Sequence, residues 1–300
     1  MKILNFKTIL FSLIVVLFGT LFIAANKPKA PNKTPNIVVF FIDDLGYGDI
    51  SVNGALGYKT PNLDKMAMEG TRFTNFLAAQ PICTASRVGL LTGCYPNRVG
   101  MSGAIGPESK IGLNPNEETI AEIVKQKGYK TAIFGKWHLG SKKEFLPLQQ
   151  GFDEFYGVPY SHDMWPLHPF QASAHYPDLY WIDGNENEKQ LKDLDDVSTI
   201  TPTITSKAID FIKKNKKNPF FLYIPNPLPH VPLAASPRFK GKSGAGLFGD
   251  VIMELDWSVG EVLKELKKQG LDENTLVIFT ADNGPWLNYG NHAGSTGGFR

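Results

Sequence analysis

Cysteine is scarce in this 300-residue chain: Cys83 and Cys94 are the only two. Two thiols exclude a disulfide scaffold and any multi-cysteine zinc module. An excess of charge is missing as well. Thirty-one basic residues against 29 acidic leave a formal net charge of +2. That balance offers no electrostatic footprint for nucleic acid or for an acidic surface. No internal repeat is visible. What is present is apolar and aromatic material, 42% and 12% of the residues. Such a composition excludes a disordered chain and supports a sizeable core, either in two domains or in one large α/β domain.

Only one apolar run is long, and it lies at the N-terminus. Lys2 and Lys7 precede Ile9 to Ala25, which is broken only by Ser12, Gly19 and Thr20. A positive flank, an apolar run and a small-residue end read as a secretory signal peptide over residues 1–25. The run is also just long enough to span a bilayer, so an uncleaved N-terminal anchor is the alternative. Residues 26–35, NKPKAPNKTP, carry three prolines and three lysines and read as a linker. The expectation is an exported protein, periplasmic, secreted or at the cell surface, with its domain over 36–300. Membrane contact is expected only if the first segment is retained.

Asn36 to Ile42, NIVVFFI, has the unbroken apolar character of a strand buried on both faces. Further strands are expected over 131–134, 220–224 and 276–280. Helices are expected over 61–69, 86–91, 119–127, 204–215 and 251–269. Helix and strand alternating in this way argue a mostly parallel sheet with helices on both faces. Residues 140–202 break the pattern. They carry many rings, among them Phe152, Phe155, Tyr156, Tyr160, Trp165, Phe170, Tyr176, Tyr180 and Trp181, but no long period. Two readings stand: a binding wall, or a loop packed down by its own rings.

Ligands of open parallel sheets bind beyond the carboxyl ends of the strands. Asp43 and Asp44 follow the first strand, and Lys136 and His138 follow the 131–134 strand. Pro225 to His230 and then Asp282 and Asn283 follow the other two. Any one acidic pair there reads most simply as a turn; four such ends in one layer do not. Asp43, Asp44, Asp282 and Asn283 offer only oxygen, which suits a hard cation, Ca2+ or Mg2+, rather than zinc. On extended chain Lys136 and His138 would share a face. A cation site lined by Lys, His and Arg implies an anionic ester, sulfate or phosphate. Cys83 precedes the short helix expected from Ser86, with Arg87 one turn on, and a helix N-terminus plus a guanidinium cradles an anion. A Cys-based phosphatase loop would place Arg six positions after Cys; here the offset is four.

Cys83-Thr84-Ala85-Ser86-Arg87 followed by Leu90-Leu91-Thr92-Gly93 resembles the C-x-[P/A]-x-R signature of the type I sulfatases. GYKTAIFGKWH at 128–138 resembles their second signature. DDLGYGD at 43–49, GFDEFYGVPYSHD at 151–163 and TADNGP at 280–285 are similar to the arylsulfatase A branch. Ala85 stands where proline is commoner, and Cys94 where many relatives carry arginine. The resemblance covers about Asn36 to Arg300 and implies an alkaline-phosphatase-like fold. Relatives continue beyond this span into a second sulfate-binding lysine and a smaller C-terminal domain. On that basis the chain is expected to lack the C-terminal part of the fold, and to be poorly stable or inactive alone.

The resemblance further implies that a maturation enzyme oxidises Cys83 to formylglycine, an aldehyde that hydrates to a gem-diol. One hydroxyl attacks sulfur and expels the alcohol; loss of the other's proton releases sulfate, which a plain serine ester could not do. By position, Asp43, Asp44, Cys83, Asp282 and Asn283 are implied to hold one Ca2+, Mg2+ being the less suited ion. Arg87 would stabilise the diol and sulfate, Lys136 would bind the ester oxygens, and His138 would handle the diol proton. His230 is matched to the leaving oxygen and Ser161 to a sulfate-side hydroxyl. His162, His168, His175 and His292 receive no role and read as surface or packing residues. The substrate class is a sulfated small molecule or saccharide. The alternatives are a phosphate or phosphonate monoester hydrolase of the same superfamily, and an inactive sugar-binding protein. The latter is disfavoured because Cys83, Arg87 and His138 are all present.

Overall fold

Seven strands form one sheet in the order β5-β4-β3-β2-β6-β1-β7. They are β1 (Asn36–Ile42), β2 (Lys130–Lys136), β3 (Glu154–Val158), β4 (Leu179–Asp183), β5 (Glu186–Leu191), β6 (Phe220–Ile224) and β7 (Thr275–Ala281). The computed structural model describes residues 34–169 and 175–299. The expected signal segment, most of the linker and Phe170 lie outside the described residues. β3, β2, β6, β1 and β7 run parallel, while β4 and β5 add antiparallel to one edge.

Alternation along β1 decides where the helices sit. Val38, Phe40 and Ile42 face one core, and Val39 and Phe41 the other. The first core is closed by α1 (Pro61–Glu69), α5 (Ile200–Asn215) and α6 (Gly246–Lys268), through Leu63, Ile204, Phe211, Val251 and Leu255 among others. The second is closed by α2 (Cys83–Thr92) and α3 (Ile120–Lys125), through Val88, Leu91 and Ala121. The sheet is therefore covered on both faces, as its unbroken apolar strands require.

Several boundaries moved, each for a local reason. α3 stops at Lys125, short of the expected 127. Thr119 caps its start at Ile120: the Thr119 hydroxyl accepts from Glu122 N at 3.2 Å, and Thr119 N donates to the Glu122 carboxylate at 2.7 Å. α5 begins four residues early because Pro202 sits in its first turn, where proline costs no hydrogen bond. α6 begins at Gly246, its first turn hidden by two glycines of low helix propensity. The largest departure is residues 140–202, which hold β3, β4, β5 and a short α4 (Leu194–Val197). β5 reads ENEKQL, a polar edge strand without an apolar signal. The rings of this segment pack inward: Phe152, Phe155, Tyr156, Tyr160, Trp165 and Trp181 are all buried.

Gly135 draws the strand ends together. Its φ is +136°, and a Cβ there would lie 2.1 Å from Pro225 O. That close approach lets Lys136 N donate to Pro225 O at 2.7 Å and turns the Lys136 side chain toward the end of β1.

Candidate active site

The carboxyl ends of β1 and β7 are clamped first. Asp282 N donates to Ile42 O at 3.1 Å, and Asp43 N to Asn226 O at 3.1 Å beyond β6. Asp44 turns into the left-handed region, φ +56°, and its N–H reaches Asp282 Oδ1 at 3.2 Å. Asn283 Nδ2 donates to Asp44 Oδ1 at 2.8 Å. Asp43, Asp44 and Asp282 consequently present carboxylate oxygens within 4.8 Å of one another.

Two buried cations face this cluster. Arg87 Nη2 lies 3.1 Å from Asp43 Oδ1 and 2.8 Å from Asp282 Oδ2, while its Nη1 donates to Lys136 O at 3.0 Å. Lys136 Nζ donates to Asp43 Oδ2 at 2.5 Å and to Ser161 Oγ at 3.0 Å. Ser161 Oγ in turn lies 3.5 Å from His230 Nε2, which is 3.5 Å from Asp44 Oδ2. Cys83 is the first residue of α2 rather than a residue before the helix, and is buried. Arg87 follows one turn later on the same face.

The charges decide the protonation states. Burial pushes Asp43 upward, but Lys136, Arg87 and His230 outweigh it and hold the carboxyl well below the usual range. Burial and the Asp43 charge push Asp282 well above it. Burial also raises Asp44. Burial lifts the Cys83 thiol to about 11, with Lys136, Asp43, Asp282 and Arg87 all close enough to act on it. As found, that thiol is a neutral S–H at physiological pH. Burial works against the positive charge of Lys136, and Asp43 restores it, raising the ammonium pKa.

His138 departs from the expected geometry. β2 ends at Lys136, and His138 adopts φ +59°, so it does not share an extended face with Lys136. Its Nε2 donates to Ile105 O at 2.9 Å, which leaves Nδ1 as a lone pair. Nδ1 is buried and has no hydrogen-bond partner among the described residues. Burial first, then Lys136 and Arg87, depress its pKa well below the usual imidazole value, so the ring is neutral.

The donor set fits a hard cation. It is all oxygen; two of its carboxyls are raised, by burial first and then by the neighbouring Asp43 charge; and Asn283 Oδ1 is buried without a hydrogen-bond partner among the described residues.

Two residues near the site went unassigned in the sequence. His162 is buried, its ring 5.7 Å from that of His230, with Nε2 donating to Pro232 O at 3.1 Å. The signal was its place beside Ser161. Trp286, directly after the TADNGP motif, sets its ring 5.6 Å from His230. His168 packs edge-on against Tyr176, and His175 and His292 are exposed.

Burial lowers His162 to about 4, aided by the neighbouring His230. An unfolded histidine titrates near 6.5, so the unfolded chain binds the extra proton first as pH falls. Stability contributed by neutral His162 is complete above pH 6.5 and is lost on acidification toward pH 4, on the order of 3 kcal/mol. His162→Gln is expected to flatten the decline of the denaturation midpoint between pH 6.5 and 4. An unchanged slope contradicts this.

A family model described as Sulfatase matches residues 35–299. The chain belongs to the sulfatase family. It is 38% identical over 303 residues to N-acetylgalactosamine-6-sulfatase of Mus musculus, covering 96% of this chain and 57% of that protein. It is 40% identical over 282 residues to arylsulfatase A of Homo sapiens, covering 89% and 55%. The chain thus spans little more than half the length of these two sulfatases. Among solved structures, the PsFucS1 sulfatase from Pseudoalteromonas sp. superposes with a TM-score of 0.80 at 33% identity, covering 88% of this chain and 58% of that one. The fold is the alkaline-phosphatase-like one that the sequence motifs implied.

Proposed function

We propose that this chain carries the nucleophile and cation end of a site that hydrolyses the sulfate ester of a saccharide or aryl alcohol, using a formylglycine made from Cys83 and one bound Ca2+. The observation that carries this is the meeting of three carboxylates, Arg87 and Lys136 around the first turn of α2, where Cys83 sits. An anion-binding helix end, two fixed cations and an oxygen-only cation site at one sulfur fit sulfuryl transfer better than any binding role. A hydrated aldehyde beside Ca2+ supplies a nucleophilic hydroxyl and a second hydroxyl through which sulfate is released.

The chain's own residues do the rest. Asp43, Asp44, Asp282, Asn283 and modified Cys83 would hold the cation. Arg87 is fixed by two carboxylates and a carbonyl, so its charge stands beside Cys83 without further ordering. Lys136, held between Asp43 and Ser161, is placed to neutralise an ester oxygen. Neutral His138 keeps Nδ1 free to accept a proton. His230 Nδ1 donates to Val231 O at 2.5 Å, so Nε2, facing Ser161 and Asp44, is the nitrogen that exchanges a proton with the leaving oxygen.

The relatives' names, N-acetylgalactosamine-6-sulfatase and arylsulfatase A, support sulfated saccharides and aryl sulfates as the substrate class. A maturation enzyme is the required partner. Export is proposed from the N-terminal pattern. Among the described residues no helix is long and apolar enough to cross a membrane. The family match does not favour a phosphate or phosphonate ester as the alternative substrate. Matched aryl sulfate and aryl phosphate assayed on protein matured in its host are the test. Expected is a sulfate preference in kcat/KM of at least about 100-fold. A preference for phosphate overturns the proposal.

A further inference from the structure

Trp286 packs against His230. Its ring meets the imidazole nearly edge-on at 5.6 Å, and Tyr289 props it from behind at 4.8 Å and 85°. His230 is walled on another side by His162, which is fully buried. Trp286 by contrast is 42% exposed. It lines a small concavity together with Asp44, Val231, Tyr289 and His292. Asp44 also belongs to the acidic cluster, so this concavity borders that cluster. In the proposed reaction the leaving oxygen meets His230 Nε2, so the carbon skeleton attached to it would pass beside His230. The half-exposed ring beside that imidazole is Trp286.

We propose that Trp286 is the platform for a pyranose ring, so that the alcohol released by this site is a sugar; this rests on the sulfate ester reading above. The indole face is electron-rich, and the axial C–H groups of a pyranose carry the complementary partial positive charge. Tyr289 and His292 add polar groups around the same concavity, which suit sugar hydroxyls and have no counterpart on a bare aryl ring. Stacked edge-on against Tyr289, the indole is held in place before the ligand arrives, which limits the entropy cost of binding.

The test measures binding on the full chain with Cys83 left as cysteine, so that no turnover intervenes. Three probes are titrated: N-acetylgalactosamine 6-sulfate, 4-nitrophenyl sulfate and ethyl sulfate. Trp286→Ala is expected to weaken the sugar sulfate roughly tenfold and ethyl sulfate less than about twofold. Trp286→Phe is expected to restore most of the sugar affinity, which a merely structural role would not separate by ligand. Equal losses for sugar and ethyl sulfate, or no loss for the sugar, overturn the proposal. So does a loss confined to 4-nitrophenyl sulfate, which would assign the platform to aryl esters, or a wild-type chain that does not bind the sugar sulfate. Turnover by matured protein is scored separately. Sugar binding that depends on Trp286 without hydrolysis would sink the sulfatase proposal and leave the platform standing.

Discussion

Arg87→Ala is expected to lower the melting temperature by roughly 10 °C in the presence of a chelator. Arg87 is fully buried and, among the described residues, is the side chain ion-paired with both Asp43 and Asp282. Asp43 is ionised, and its charge already strains Asp282. Removing the guanidinium leaves two carboxyls facing each other with Lys136 as the remaining cation ion-paired to Asp43. Breaking a buried pair in this way costs about 3–5 kcal/mol, because the surviving charge keeps its desolvation penalty. The loss also has a signature that a simple cavity lacks. Ca2+ bound to the three carboxylates would supply the missing positive charge, so millimolar Ca2+ is expected to recover part of the melting temperature. Thermal melts of wild type and Arg87→Ala, with chelator and with Ca2+, measure both effects. Equal losses in the two conditions would mean that the acidic cluster is not a cation site.

Under the proposed function, Cys83→Ser is expected to reduce sulfate ester turnover, assayed with 4-nitrophenyl sulfate, by roughly 10^4-fold or more. Serine is close to cysteine in size and Cys83 is buried at the start of α2, so the melting temperature should change little. The residual chemistry is diagnostic. A serine hydroxyl that attacks sulfur expels the alcohol and is left as a sulfate ester with no second hydroxyl to expel it. The variant should therefore gain about 80 Da at residue 83 after incubation with substrate, one sulfuryl group per chain. Kinetics and intact mass together check this. Sustained turnover by the serine variant contradicts the proposed nucleophile.

How far the sequence carried the reading can be judged from particular segments. NIVVFFI was legible as a strand buried on both faces because such an apolar run has no other stable setting. The convergence of the four strand ends was legible because parallel strands deliver their carboxyl ends to one edge. β5 was not legible, since a polar edge strand is defined by its partner β4 and not by its own composition. The His138 backbone was misjudged because alternation holds only while the chain is extended, and the chain turns after Lys136. The pairing of Arg87 with both Asp43 and Asp282 spans sequence separations that no local pattern encodes. Trp286 escaped because a single tryptophan after a strand reads as core until its exposure and its neighbour His230 are known.

Peptide mass spectrometry of the segment around Cys83, taken from protein made in its native host, tests the central claim most directly. A mass about 18 Da below that of the cysteine peptide, the change from a thiol to an aldehyde, is the expected result. An unmodified cysteine throughout an active preparation would contradict the account, because the buried neutral thiol would then have to do the chemistry itself.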